Sequence, residues 1–185
     1  MTDSSTSTVP TAGQTVGPFF GYALPFPDDQ HLVPPGSPGS VRLHGGVYDG
    51  DGRPVPDAIL ELWQTDAQGN VVQEPGSLRR DGHTFTGWGR ASTDRTGQYS
   101  FTTVTPGAPF FALAVFARGL LNRLFTRAYL PDAADDAFLA TLDADRRSTL
   151  IATRDDTGPV TAYRFDVRLQ GEGETVFLAF PRHQL

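Results

Sequence analysis

Residues 109–130 of this 185-residue chain are PFFALAVFARGLLNRLFTRAYL, a stretch with the composition of a buried β-hairpin. Its aromatic and β-branched residues predict a strand over Phe111–Phe116, a turn at Gly119 and a second strand from about Arg123 to Leu130. A permanent charge beside a buried strand is costly unless an anion meets it. Three arginines lie in or beside these strands: Arg118, Arg123 and Arg127. We expect structural roles for Arg123 and Arg127, and Arg118 is the candidate for a functional role.

Short strands separated by turns continue on both sides of this hairpin. They are predicted over 41–49, 58–64, 87–91, 98–104, 147–153, 160–169 and 175–180, the last of these closing the sheet. One helix is predicted over Asp132–Leu142, because acidic residues lie in its first turns and Phe138, Leu139 and Leu142 form an apolar stripe. Many short strands, frequent turns and one short helix predict an all-β fold, an antiparallel β-sandwich.

Three segments divide the chain by composition. Residues 1–13 are small and polar and are expected to form a disordered tail. Residues 14–40 form an extended N-terminal arm and a Pro/Gly-rich loop. The arm must bury its aromatic rings, either against its own domain or against a partner or pocket. Residues 41–185 form the sandwich domain.

The composition excludes several classes of function. The net charge of −6 is offset by no basic stretch, which argues against nucleic acid as the main partner. The chain has no cysteine, and all of its 15 basic residues are arginine, so disulfides, thiolate catalysis and Schiff-base lysine chemistry are absent. No segment approaches the roughly 20 apolar residues of a membrane helix, and no leader precedes the arm, so a cytoplasmic protein is expected.

The residues also offer little for metal or nucleophilic catalysis. The histidines are scattered, without HxH or HxxxH spacing: His31, His44, His83 and His183. Iron or zinc needs three or four converging ligands, so we predict no metal site in this chain. No GxSxG elbow is present. Glu172 and Glu174 lie in a Gly-rich turn, where they are either a general acid–base pair or solvated turn residues.

Arg118 follows the first strand of the hairpin, in the sequence FARG. Two interpretations remain open for it. It forms a salt bridge with one of the 21 acidic residues, or its guanidinium binds the carboxylate of a substrate, for which the planar fork is well shaped.

Several motifs together resemble a known family. They are QTVGPFF from residue 14, ELWQTDAQGN from 61, FARG…LFTRAYL from 116, RRSTLIA from 146 and AYRFDVRLQGEGETVFLAF from 162. Over residues 14–180 the chain is similar to the intradiol aromatic-ring dioxygenases, and among them to the α subunits of members that act on protocatechuate. The resemblance implies a prealbumin-like sandwich that pairs with a homologous β subunit in αβ units of a larger oligomer. It also implies O2-dependent cleavage of protocatechuate to 3-carboxy-cis,cis-muconate, in aromatic catabolism through the β-ketoadipate pathway.

The same resemblance implies that this chain holds no iron. In the family, the β subunit binds a non-haem Fe(III) ion through two tyrosines and two histidines. The histidine pair corresponds to Phe110 and Ala112, the first tyrosine corresponds to Val71, and the loop Thr105–Pro109 is too short to hold the second. The implied role is an iron-free subunit whose partner carries the metal. The alternatives are a stand-alone intradiol dioxygenase and a non-catalytic β-sandwich that serves as a structural module or small-molecule carrier.

The resemblance further implies that the arm helps to shape the partner's substrate pocket. The corresponding positions are Thr15, Gly17, Pro18, the aromatic residue Phe19, and Arg118 of the FARG motif. Some relatives have tyrosine at position 19, so a hydrogen bond from that hydroxyl is missing here.

Overall fold

A computed structural model of the chain describes residues 17, 20–72, 74, 81–82, 84–133 and 136–180. Two β-sheets pack face to face. The strands are β1 (Ser40–Tyr48), β2 (Ile59–Trp63), β3 (Trp88–Ser92), β4 (Gln98–Val104), β5 (Phe110–Phe116), β6 (Leu124–Tyr129), β7 (Thr153–Asp155), β8 (Ala162–Arg164) and β9 (Val167–Arg168). Two short α-helices, α1 (Phe20–Ala23) and α2 (Ala144–Ser148), and a 3₁₀ turn at Leu139–Thr141 complete the described elements. None of the helices in this described part is long and apolar enough to cross a bilayer.

The first sheet has the order β4-β1-β8-β7, with β9 also pairing with β1, and the second has the order β3-β2-β5-β6. This arrangement confirms the predicted all-β sandwich. The pairing is antiparallel except where β8 and β9 run parallel to β1. The single strand predicted over 160–169 is therefore wrong in one respect, because it is divided into β8 and β9.

The division occurs where the chain passes two glycines of β1. Phe165 donates its N–H to the carbonyl of His44 at 2.8 Å, and the Asp166 carboxylate accepts the N–H of Gly46 at 2.8 Å. Tyr99 donates its hydroxyl to the Phe165 carbonyl at 2.6 Å. A Cβ atom at Gly45 would overlap that carbonyl, so only glycine fits where the two backbones meet.

Alternation along the strands places the main core between the sheets. The inward-facing side chains form one cluster with almost no exposed surface: Leu43, Val47, Leu60, Leu62, Phe101, Phe111, Leu113, Val115, Ala128 and Val167. The hairpin that was central to the sequence prediction supplies four of these residues. β5 and β6 pair antiparallel from Phe110–Tyr129 to Val115–Leu124, as predicted.

The helix predicted over 132–142 is wrong. The Asp136 carboxylate accepts the backbone N–H groups of Phe138 at 2.9 Å and Leu139 at 3.2 Å, so a new turn starts there instead of a continuous helix. The apolar stripe is nevertheless partly or fully buried. Leu139 is fully buried, and Phe138 and Leu142 pack around it in a second, smaller core with Tyr129 and Leu150.

Two predicted strands near the C-terminus also differ. Arg147 and Ser148 belong to α2, and the chain then follows the edge of β6, where Leu150 and Ala152 bond to the backbone of Tyr129. Over 175–180, no strand is formed: Leu178 makes an isolated bridge with Phe125 of β6, and Thr175 donates its N–H to the Arg168 carbonyl of β9 at 3.0 Å. These segments cover the edge of β6 without extending the sheet.

Residues 20–33 close the opposite side of the sandwich. The Asp29 carbonyl accepts the backbone N–H of Arg90 on β3 at 2.9 Å, and Leu32 donates to the Thr102 carbonyl on β4 at 2.8 Å. The segment therefore bonds to the edge strand of each sheet in turn. This gives the base of the N-terminal arm a fixed position.

Of the four Asp-x-x-Gly segments of the chain, those at 49–52, 66–69 and 94–97 form one kind of turn. In each turn the first aspartate accepts backbone N–H groups two and four residues later. The glycines Gly52, Gly69 and Gly97 have φ of 76°, 89° and 75°, the left-handed region that they adopt without strain.

These turns predict a loss of stability in acid. Hydrogen bonds, first from the side chain of Asn70 and of Thr96 respectively, lower the pKa of Asp66 and of Asp94 below the usual value. A carboxylate with a lowered folded-state pKa stabilises the fold above its unfolded pKa, about 3.9, and this contribution disappears as the pH falls through the folded pKa. We expect Asp94→Asn to lower the melting temperature at pH 7, with the difference from wild type shrinking below about pH 3.5. Thermal unfolding followed by circular dichroism from pH 7 to pH 2.5 measures this difference, and a constant difference would contradict the prediction.

Candidate functional site

The outer face of the second sheet carries the positions at which the sequence predicted a decayed metal site. Phe110 and Ala112 both lie on β5 and project to the same face. Ala112 is paired with Trp63 of β2 on one side and with Arg127 of β6 on the other, and Phe110 is paired with Tyr129. The small side chain of Ala112 thus lies between a half-exposed indole and a guanidinium.

Arg127 is the centre of an aromatic–arginine cluster, which we define as Phe110, Arg127, Tyr129, Asp136 and Phe138. The guanidinium carbon lies 4.2 Å from the centre of the Phe110 ring and 5.8 Å from that of Phe138. Its Nη1 donates to the Tyr129 hydroxyl at 3.0 Å, and that hydroxyl donates to Asp136 Oδ1 at 3.0 Å. The Phe110 and Tyr129 rings meet edge to face at 5.3 Å. Stacking and hydrogen bonding together stabilise the charge on this face.

The ionisation of Tyr129 follows from this environment. Burial raises the pKa of the Tyr129 hydroxyl, and the hydrogen bond to Asp136 raises it further, while Arg127 opposes both effects. The hydroxyl therefore remains protonated at neutral pH and is a hydrogen-bond link between a cation and a carboxylate. It is not poised to act as a phenolate ligand.

Arg118 has a carboxylate partner within the chain. Its Nε donates to Asp57 Oδ2, and the arginine side chain is 58% exposed whereas the aspartate is 23% exposed. The charge is therefore less buried than the sequence suggested. Of the two interpretations, the salt bridge is present, and the exposed guanidinium retains donors for a second anion.

The described part of the arm is attached to the edge of the second sheet. Arg90 Nη1 donates to the Leu24 carbonyl at 2.7 Å, and Arg90 Nη2 donates to Glu61 Oε1 at 2.7 Å. The Phe20 side chain is buried. The carbonyl of the exposed Gly17 accepts the N–H of Phe20 at 3.2 Å. Other apolar side chains of this segment are exposed: Tyr22, Leu24 and Phe26.

Three of the predicted pocket residues, Thr15, Pro18 and Phe19, lie outside the described residues. The other two, Gly17 and Arg118, are surface residues. Glu174 makes an ion pair with Arg146 at 3.9 Å, and Glu172 is an exposed turn residue. No observation supports acid–base work for these two glutamates.

The positions that the sequence analysis predicts to correspond to metal ligands do not fit iron. Val71 is 75% exposed and is bridged to Thr65, and neither Phe110 nor Ala112 has a donor atom. Of the described histidines, His31 bonds to Thr102 on β4, and His44 lies on β1, so both are associated with the other sheet. Across the described ranges, no three His, Asp or Glu side chains converge as a metal site would require.

Sequence reasoning did not identify two of these contacts. It assigned a structural role to Arg127 without a partner, and it did not select Asp57 as the partner of Arg118. The spacing of residues within β6 could have shown the first contact. Arg127 lies two residues from both Phe125 and Tyr129, so the three side chains must share one face of the strand. The Arg118–Asp57 pair joins two loops, for which no periodicity exists.

Comparison with known proteins gives the family. Residues 16–112 match a family described as Dioxygenase. The chain is 40% identical to the protocatechuate 3,4-dioxygenase alpha chain of Pseudomonas putida, with 92% of this chain and 96% of that one covered. This chain belongs to the intradiol dioxygenase family. Its members depend on non-haem iron, an ion that the residues described above do not fit.

Within the intradiol dioxygenases, a second relative is the protocatechuate 3,4-dioxygenase beta chain of Burkholderia cepacia. It is 31% identical, over 73% of this chain and 66% of that one. Among solved structures, the dioxygenase domain of a carbohydrate-binding fusion protein from Streptomyces sp. SirexAA-E covers 88% of this chain and 99% of that one. It has a TM-score of 0.56 at 24% identity, which supports the shared sandwich fold.

Proposed function

We propose that this chain is the iron-free α subunit of a protocatechuate 3,4-dioxygenase. In this proposal a homologous β subunit binds the Fe(III) ion, and αβ units assemble into a larger oligomer. The iron supplies the activation of the catechol toward O2, and the product is 3-carboxy-cis,cis-muconate. A cytoplasmic location belongs to the same proposal.

The proposal rests on one combination of findings: the chain is strongly similar to an alpha chain, but the residues at the expected iron-ligand positions cannot bind iron. The chain matches an alpha chain over nearly its whole length, yet Phe110 and Ala112 offer no atom that could bind iron. The similarity to both alpha and beta chains supports an origin of the two subunits from one ancestral sandwich. An active centre that one subunit no longer forms is then supplied by the other.

The contribution of this chain to the shared pocket would come from the arm and from Arg118. The base of the arm is fixed by the hydrogen bond from Arg90 to Leu24 and by the ion pair of Arg90 with Glu61. Exposed Tyr22, Leu24 and Phe26 are apolar groups that an interface would cover. We assign Thr15, Gly17, Pro18 and Phe19 to the pocket wall and Arg118 to the substrate carboxylate.

The proposal is tested by reconstitution. The chain purified alone is expected to be colourless and inactive, and to form an active, iron-containing complex when it is mixed with the β subunit. Iron analysis, the visible spectrum and O2 uptake with protocatechuate provide the readouts, and the β subunit alone is the control. Stoichiometric iron and turnover from this chain alone would overturn the proposal and support a stand-alone dioxygenase.

A further inference from the structure

We infer that Arg127 closes the former metal position of this chain, so that restoring the two lost histidines alone would not restore metal binding. The inference rests on the proposed correspondence of Phe110 and Ala112 with the histidine pair of the family. Metal binding would then face two barriers, the first of which is the loss of the ligand atoms and the second of which is Arg127. That barrier is a positive charge built into the sheet.

The geometry places this charge where the metal would be bound. Side chains at positions 110 and 112 project from one face of β5 and are neighbours along the strand. Arg127 is directly opposite Ala112, and its guanidinium carbon reaches over the ring at position 110, at 4.2 Å from the ring centre. Imidazoles at the two positions would share this space with the guanidinium.

The contacts of Arg127 hold the guanidinium in place. The Phe110 ring lies on one side, the Phe138 ring is also close, and the Tyr129 hydroxyl accepts a hydrogen bond from Nη1. Tyr129 is itself fully buried and bonded to Asp136. Swinging the arginine out to solvent would remove stacking and leave a buried hydroxyl without its donor.

The carboxylate of the cluster, Asp136, makes no direct ion pair with Arg127. Asp136 Oδ1 is bonded to the Tyr129 hydroxyl and to the N–H groups of Phe138 and Leu139. Its contact with Arg127 therefore runs through the tyrosine. A metal bound to a ring nitrogen lies about 2 Å from that nitrogen, which would bring a dication within a few ångströms of the guanidinium. If the metal ion and the guanidinium were about 4 Å apart in a medium with an effective dielectric constant of about 20, their repulsion would weaken metal binding by about 1,000-fold for each unit of charge on the metal.

The test uses Ni²⁺, because imidazole pairs bind it well, and needs no partner subunit and no substrate. We compare the wild type, F110H/A112H and F110H/A112H/R127Q by isothermal titration calorimetry. The triple variant is expected to bind one Ni²⁺ at least about 100-fold more tightly than F110H/A112H, since solvent reduces the full Coulomb effect at this partly exposed site. Thermal unfolding checks that each variant is folded.

A matched control comes from the same strand region. Arg123 also stacks on a phenylalanine, with 4.9 Å between its guanidinium carbon and the Phe125 ring centre, but it precedes Arg127 by four residues. F110H/A112H/R123Q removes the same charge and should bind Ni²⁺ no better than F110H/A112H. F110H/A112H/R127M keeps an apolar side chain on the rings and serves if the glutamine variant fails to fold.

Equal affinities of F110H/A112H and the triple variants would overturn the inference, and so would a gain with R123Q equal to that with R127Q. Weak binding by every variant would also overturn it, because Arg127 would then not be the closing residue. Reconstitution with the β subunit tests the proposed function separately. An inactive complex would leave the Ni²⁺ result standing.

Discussion

Replacing Gly45 with alanine is expected to lower the free energy of unfolding by about 3 kcal/mol or more, the largest stability effect that we predict for a single methyl group. The added Cβ would overlap the carbonyl of Phe165, which is main chain and already bonded to the buried Tyr99 hydroxyl. Relief requires β1 to move away from the segment between β8 and β9. Urea unfolding monitored by fluorescence measures the change.

Gly46→Ala is the matched control for this experiment. Its Cβ would meet the Tyr48 hydroxyl oxygen at 2.5 Å and Gln98 Nε2 at 2.7 Å, the ends of side chains that can rotate. We expect a loss of about 1 kcal/mol for this variant. Equal losses for Gly45→Ala and Gly46→Ala would show that general crowding on β1, not the backbone contact, limits the sheet.

Arg118→Ala in the assembled complex is expected to raise KM for protocatechuate by about 10- to 100-fold, the value of a charge-assisted hydrogen bond of about 1.5–3 kcal/mol. KM for catechol should change little, because catechol has no carboxylate for the guanidinium to bind. Steady-state O2 uptake with both substrates gives the comparison. The prediction follows from the proposed role of Arg118 at the shared pocket.

Asp57→Asn separates this role from the salt bridge. It removes the same ion pair but keeps the guanidinium, so the ratio of the two KM values should stay near that of the wild type. Both variants should lose less than about 1 kcal/mol of stability, because Arg118 is exposed. If Arg118→Ala and Asp57→Asn change KM for both substrates alike, Arg118 only orders the surface.

Much of the sandwich could be predicted from the sequence because its strands have clear periodicity. Gln98–Val104 alternates between buried and partly exposed residues, and Phe110–Phe116 is apolar enough to be central. The sequence could not reveal that the Asp136 carboxylate accepts hydrogen bonds from two backbone N–H groups and from the Tyr129 hydroxyl. That choice depends on a tertiary contact and interrupts the predicted helix, although its apolar residues are still partly or fully buried.

The absence of metal ligands from the site could be predicted from the sequence, but the contacts between its side chains could not. Phe110 and Ala112 have no donor atoms whatever their surroundings, so their chemistry follows from identity alone. The position of Arg127 over Phe110 depends on the register of β5 against β6, which the hairpin sequence does not specify. Arg118 forms an ion pair with Asp57 between two surface loops. The sequence has many acidic residues, so this partner could be identified only from the structure.

The pairing of β1 with both β4 and β8 has a consequence for the order of folding. Leu43 pairs with Phe101 and with Tyr163, which lie 58 and 120 residues further along the chain. Contacts of such long range close slowly, since large loops must be ordered before the strands gain their hydrogen bonds. β1, the first of the described strands, therefore acquires its neighbours β8 and β9 only after residues 162–168 have been synthesised. Folding of the sandwich is therefore completed only after its C-terminal strands have been synthesised, and any assembly that requires the folded surface must follow it.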